Sequence, residues 1–344
     1  MKNQSQAIEQ YILSHIEAHA NNIVVMICKH FSVTRMTATR HLQALIKQGK
    51  IIKIGKTSDT QYYLAAAKNK SIVVNINTLL DEFRFFMDYL EPELKSLPVN
   101  QYKILEYCTT ELVNNAKDHS SGTRLQVKTH WGNGGLQIEI IDNGMGIFKN
   151  LQQVLKLIDL QEGLLVLSKG KVTTDPENHT GEGVFFSSRM VDQFVIEANG
   201  IRYLKDNWND DWTYQQIKTN TGTKIILFVN RDCTRTIKEV FLAYTEPNNL
   251  GFDKTEILVE LSRFKDERLI SRSQAKRVLD TLDKFSRIVL DFRHIEAVGQ
   301  GFVDEIFRVF QNQHPTIQLT YQNANDDVVF MIKRGLKDGA VSGI

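Results

Sequence analysis

The stretch ELVNNAKDHS, residues 111–120, sets side chains suited to metal and proton chemistry at helical spacing. Glu111, Asn115 and Asp118 stand at i, i+4 and i+7, so a helix would align them in one polar stripe. Leu105, Cys108, Leu112 and Ala116 form an adjacent apolar stripe that would seat the helix on a core. A carboxylate can orient a water or accept a proton, and an amide oxygen is a hard ligand for magnesium. The same pattern alone also describes an amphipathic helix whose polar stripe faces solvent.

Two later stretches bear on that choice. The apolar run LQIEII, 136–141, reads as a strand delivering the turn DNGMGI, 142–147. Further on, HTGEGVFFSSRMVDQF, 179–194, is a glycine-bearing turn that opens into a helix near Val184. There Gly181 and Gly183 would let backbone amides approach phosphate oxygens, and the helix N-terminus adds favourable partial charge.

In this order the three motifs resemble the GHKL ATPase superfamily, which includes gyrase, mismatch-repair ATPases, histidine kinases and anti-sigma-factor serine kinases. The resemblance covers residues 75–232 and implies an α/β sandwich, a mixed sheet with helices on one face, binding ATP and magnesium. By position it makes Glu111 the catalytic carboxylate and Asn115 the magnesium ligand. Asp142 becomes the acceptor for the adenine amino group, Gly144 and Gly146 the turn beside it, and Gly181 with Gly183 the phosphate loop. Gly222 and Thr223 resemble the family's Gly-Thr pair, whose hydroxyl lies near the nucleotide. The lid falls at 148–180, where 151–160 and 164–167 look helical and SKGKVTTDPENHT reads as a mobile loop. Lys169 and Lys171 would reach phosphates from it, or else belong to a solvated basic loop. His119 would sit near the phosphates or act as a structural histidine at a helix end. None of the nine histidines is followed by Asp or Glu, so no recognisable substrate histidine is present. Glu111, Asn115 and His119 together lean towards the serine-kinase branch.

The elements that must carry these motifs sit in a chain of 344 residues, enough for two or three domains. With 42% hydrophobic and 24% charged residues and only five prolines, the composition leaves little room for long disordered tracts. The N-terminus lacks an apolar signal core, and the run 23–28 is too short to cross a bilayer, so the expected location is cytoplasmic, with no membrane partner. Cys28, Cys108 and Cys233 lack metal-ligand spacing and read as core or incidental thiols.

Charge is uneven along the chain. Residues 1–70 hold eight lysines and two arginines against Glu9, Glu17 and Asp59, which invites a polyanion. Ile8, Ile12, Leu13 and Ile16 recur at helical spacing, 23–31 reads as a second helix, and 34–48 as a third with Met36, Leu42, Leu45 and Ile46 as core positions. A two-stranded wing follows at 51–65. Residues 1–68 thus resemble a winged helix-turn-helix DNA-binding domain, whose third helix enters the major groove. Its candidates for DNA contact are Arg35, Thr37, Thr39 and Arg40, with His41 beside them, and Lys53 and Lys56 on the wing for phosphates. The alternative is a winged helix used for protein docking.

Residues 66–75 read as a joint, and DEFRFFMDYLEPELKSLP as a helix with Phe83, Phe86, Met87 and Leu90 apolar. Strands at 194–198 and 224–229 flank an expected loop with Trp208 and Trp212. Within 250–344, ILVELS, RIVLDF and TIQLTY read as strands, and 301–310 and 326–336 as helices. IVLDFRHIEAVGQGFVDEIF, 288–307, resembles the STAS domain of anti-sigma-factor antagonists. That family's loop serine is phosphorylated by the partner kinase, but Val298, Gly299, Gln300 and Gly301 offer no hydroxyl here, so the phosphoswitch does not carry over.

The preferred reading is a multidomain α/β transcription regulator: DNA-binding, ATP-binding and slowly ATP-hydrolysing, with its ATP-magnesium state coupled to the STAS-like domain. It would act as a homodimer on two half-sites, with the STAS-like domain open to a regulatory protein partner. The alternatives are a protein serine/threonine kinase acting in trans, and a nucleic-acid-sensing defence or stress ATPase.

Overall fold

The computed structural model describes residues 2–16, 19–48, 50–54, 60–64, 69–79, 81–132, 134–171, 181–246, 251–263 and 268–336. The chain divides into two compact units, 1–73 with 126–139 and 226–233, and 74–125 with 140–225 and 234–344.

In the first unit, α1 (Lys2–His15), α2 (Ile23–Phe31) and α3 (Arg35–Lys47) pack by their apolar stripes. Ile8, Ile12, Ile16, Ile23, Ile27, Ala38, Leu42 and Leu45 form the core, closed by Ile51 and Tyr62. Ser32 ends α2 in the left-handed region, and the Thr34 side chain accepts from the Thr37 amide, so three residues turn the chain into α3. The antiparallel strands β1 (Ile51–Ile54) and β2 (Gln61–Leu64) follow. Met36, expected in the core, is 82% exposed; the inward positions of α3 are Ala38, Leu42 and Leu45, the first of them two residues and about 200° round the helix from Met36.

A seven-stranded sheet has the order β3-β4-β5-β9-β6-β7-β8. Its strands are β3 (Asn69–Asn75), β4 (Arg124–Gly132), β5 (Gly135–Asp142), β6 (Gln193–Ala198), β7 (Ile201–Asp206), β8 (Asp211–Gln216) and β9 (Thr223–Asn230). Two expectations change here. Most of the supposed joint at 66–75 is strand β3, whose KSIVV pattern is short but β-prone. The supposed loop around the tryptophans is the antiparallel hairpin β7–β8, with Trp212 buried in β8 and Trp208 exposed in the turn. Polar residues on the outer face of β8 hide its alternation.

In the second unit, α4 (Glu82–Tyr89), α5 (Glu91–Leu94) and α6 (Val99–His119) precede β4. Phe85, Phe86 and Leu90 are buried, whereas Phe83 and Met87 are exposed. With apolar residues on several sides of a two-turn helix, periodicity alone does not fix the inward face. Helix α6 buries Leu105, Cys108, Leu112 and Ala116 and packs on α4, α9 (Gly183–Met190) and α10 (Ile237–Tyr244). Between β5 and α9 lie α7 (Ile147–Leu155) and α8 (Leu160–Lys169), parted by Lys156 in the left-handed region.

The C-terminal part is a three-stranded parallel sheet, β10 (Lys254–Leu258), β11 (Arg287–Asp291) and β12 (Gln318–Gln322). Parallel strands need crossovers. These are α11 (Arg272–Leu279) and the run α12 (Gln300–Val303), a π-helical stretch Asp304–Phe310 and α13 (Gln311–Gln313), with α14 (Asp326–Gly335) closing. Helix α11 escaped the sequence reading because RSQAKRVL is mostly polar, and the ILVELS strand gives way to a 3-10 turn after Leu258. No helix among the described residues is long and apolar enough to cross a membrane.

Core and surface of the first unit separate by mutation. Leu42→Ala should cost about 2–5 kcal/mol of unfolding free energy, while Met36→Ala should change it by less than about 0.5 kcal/mol. Urea denaturation followed by circular dichroism distinguishes the two.

Candidate functional site

Helix α6 brings its polar stripe to a cavity of about 380 Å³ within the second unit. Glu111, Asn115 and His119, one per turn, line it from α6. Asp142 and Ile140 line it from the end of β5, Thr223 and Ile225 from the start of β9, and Gly181, Glu182 and Gly183 from the turn into α9. Ile140, Ile147, Leu151, Leu167, Val184 and Ile225 supply apolar lining. Asp118, the third residue of the expected stripe, is not among the lining residues.

The Asp142 carboxylate is buried, and its Oδ1 accepts from the Gly144 amide at 2.8 Å and the Thr223 amide at 3.2 Å. Burial raises its pKa, and those two amides oppose the rise. Thr223 is fixed in turn because its hydroxyl accepts from the Ile147 amide at 3.0 Å. Gly222 has φ +73°, and a Cβ there would lie 2.0 Å from the Asp142 carbonyl oxygen, so only glycine lets β9 start this close. The Asn143 side chain faces the other way, accepting from the Thr123 and Arg124 amides. Gly144 and Gly146 belong to this turn but do not line the cavity.

At the opposite end the Glu111 carboxylate lies against Gly183, where a Cβ would come within 2.2 Å of Oε2. Gly183, the first residue of α9, also lines the cavity, and a helix N-terminus favours an anion. Glu182 adds a second carboxylate; burial raises its pKa and Lys171 lowers it. Cys108, one turn before Glu111, is pushed up to about 12 by burial and stays a neutral thiol.

Two expected cavity residues are elsewhere. Lys169 is fully buried and donates to the carbonyls of Arg277 at 2.9 Å and Asp280 at 2.8 Å. Lys171 donates to the Lys284 carbonyl at 2.7 Å. Neither lines the cavity, because α8 ends against the C-terminal part of the chain instead of leaving a solvated loop. The remainder of the expected lid loop, 172–180, lies outside the described residues. Conversely, Asn150 and Glu182 line the cavity although no expectation named them. Asn150 sits one turn into α7 and donates to the His119 carbonyl; its helical offset from the Asp-Asn-Gly turn was the only available signal.

Residues 100–232 match the model of the family described as histidine kinase-, DNA gyrase B-, and HSP90-like ATPase. The cavity lies in an ATPase-family domain. Residues 274–329 of the chain match a STAS-like domain of unknown function (DUF4325). No curated protein matches the chain. The ATPase domain implies nucleotide binding, and its cavity fits magnesium as well as the nucleotide. Asn115 offers an amide oxygen, and no cluster of three acidic, histidine or cysteine side chains among the described residues is arranged for a metal. Magnesium bound there would take its remaining ligands from phosphates and water.

The DNA-contact candidates all belong to the first unit. Arg35 and Arg40 are exposed on α3, Thr37 and Thr39 are half-buried, and Lys53 is exposed on β1. Thr37 is engaged at the cap, its hydroxyl 3.1 Å from that of Thr34. His41 lies 4.0 Å from Glu9. Lys56 falls outside the described residues.

Asp142→Asn replaces an acceptor-only group by one that also donates. ATP binding by the full chain should fall at least about tenfold, as isothermal titration calorimetry would measure.

Proposed function

We propose that the chain is an ATP-dependent DNA-binding regulator, in which the nucleotide state of the ATPase domain is coupled to the STAS-like domain. The observation carrying the nucleotide part is the shared cavity of Glu111, Asn115, Asp142, Thr223 and Gly181–Gly183. In this reading Asp142 accepts a hydrogen bond from the adenine amino group while its Oδ1 stays on the Gly144 and Thr223 amides. Phosphates face the α9 N-terminus, with Asn115 available to magnesium. Glu111 orients a water towards the terminal phosphate and takes its proton.

Support for the DNA part comes from the first unit. Three helices with a three-residue turn before α3 are followed by an antiparallel ribbon, in a strongly basic segment. Arg35 and Arg40 project from the N-terminal half of α3, where helix-turn-helix proteins meet base edges. A homodimer would present two such helices to two half-sites, and the expected site of action is the cytoplasm.

A second reading, a protein serine/threonine kinase acting in trans, shares the cavity but directs Glu111 at a partner's hydroxyl. The Val298–Gly301 loop has no hydroxyl to accept phosphate within that segment of the chain.

Gamma-labelled ATP with magnesium separates these readings. Free phosphate from the wild type, lowered at least about 100-fold in Glu111→Ala, supports hydrolysis; label retained on protein supports the kinase. For DNA, Arg40→Ala should weaken retention in a gel-shift assay, and unchanged retention would point to protein docking instead.

A further inference from the structure

We propose that the STAS-like part of the chain positions the wall of the nucleotide cavity through helix α8, with Lys169, Phe252 and Thr255 as the positioning residues. This rests on the nucleotide reading of the cavity.

Helix α8 serves two sites at once. Leu167 lines the cavity, and Lys169, two residues and about 200° further round the helix, inserts on the other side. There its ammonium is enclosed, with 0% exposure, and donates to the carbonyls of Arg277 and Asp280. These carbonyls stand at the C-terminal end of α11 and its cap, where the helix dipole is negative. A buried ammonium without such acceptors would be costly, so the contact fixes the end of α8 in one place. Burial lowers the Lys169 pKa to about 8, with Asp280 and Glu162 opposing the drop.

Three more contacts act on the same helix. Thr255, in β10, donates its hydroxyl to the Lys169 carbonyl at 2.7 Å. Gln161, in the first turn of α8, donates to the Arg263 carbonyl, so both ends of the helix are tied to the C-terminal part. Phe252 packs between the end of α8 and α9: its ring is 4.5 Å from that of Phe185, and a Cβ at Gly170 would meet it at 2.7 Å. Phe185 follows Gly183, which packs against the Glu111 carboxylate, by two residues. Phe252 therefore braces both the lid helix and the helix that receives phosphates. Lys171 continues the seam, donating to the Lys284 carbonyl and lying 4.5 Å from the Phe285 ring centre.

None of Lys169, Phe252 and Thr255 lines the cavity, so any effect of theirs on nucleotide passes through α8 and α9. Coupling of this kind is reciprocal in binding: a change on the STAS-like side alters nucleotide affinity, and nucleotide alters the seam by the same factor.

The test measures dissociation of a fluorescent ATP analogue with magnesium from the full chain. Thr255→Val removes only the hydroxyl, and Thr255→Ser restores it; Phe252→Leu removes the brace. Release should quicken at least about fivefold in Thr255→Val and Phe252→Leu and return to the wild-type rate in Thr255→Ser, with the Thr255→Val and Phe252→Leu chains fully folded at the assay temperature by circular dichroism. Wild-type release rates in both Thr255→Val and Phe252→Leu would overturn the proposal, as would faster release that tracks loss of the folded state. A wild-type chain that binds no nucleotide would overturn the cavity reading itself and this proposal with it, an outcome distinct from a failed brace, which leaves wild-type binding intact.

Discussion

A carboxylate held out of water needs fixed donors, and the burial of Asp142 imposes that demand on everything near it. Two backbone amides meet it, one from the turn after β5 and one from the first residue of β9. Both strands must therefore end at the same level, and the glycine before Thr223 allows the approach. Thr223 passes the constraint on by accepting from the first amide of α7, which sets where that helix begins. The floor of the cavity is thus one chain of hydrogen bonds from β5 through β9 to α7.

Helix α6 answers a different demand. Its 21 residues must fill the core with Leu105, Cys108, Leu112 and Ala116 while presenting Glu111 and Asn115 to the cavity. That division was legible in the sequence because a long helix with two separate stripes has little freedom in how it rotates. The two glycine turns were legible for a similar reason: Asp142, Thr223, Gly181 and Gly183 come from local motifs with strong backbone requirements, and the structure gathers them in one cavity. Asn150 and Glu182 escaped because each depends on which way its element faces after packing.

The misplaced expectations have a common physical origin. Lys169 and Lys171 were expected near phosphates because a lysine in a glycine-containing loop usually meets solvent or an anion. Here carbonyls at the end of α11 satisfy Lys169 and the Lys284 carbonyl satisfies Lys171, and no local pattern announces a partner more than a hundred residues away. Phe83 and Met87 have the spacing of core residues but lie outside, since Phe85 and Phe86 compete for the same burial. Strands β3 and β8 and helix α11 share the opposite fault, being too polar to declare themselves. Long-range satisfaction of charge, rather than weak propensity alone, marks the limit of reading this chain locally.

The seam between α8 and the STAS-like sheet bears on where one inherited module stops and the next begins. The two family matches, 100–232 and 274–329, are separated by forty-one residues that neither covers. Phe252, Thr255 and strand β10 lie in that interval, and they close over a helix belonging to the first match. A boundary drawn where sequence similarity ends would leave the apolar back of α8 bare and the Lys169 ammonium without its carbonyls. The contacts that hold α8 thus reach beyond the first match, and joining the ATPase module to another partner would require that partner to reproduce β10 and the end of α11.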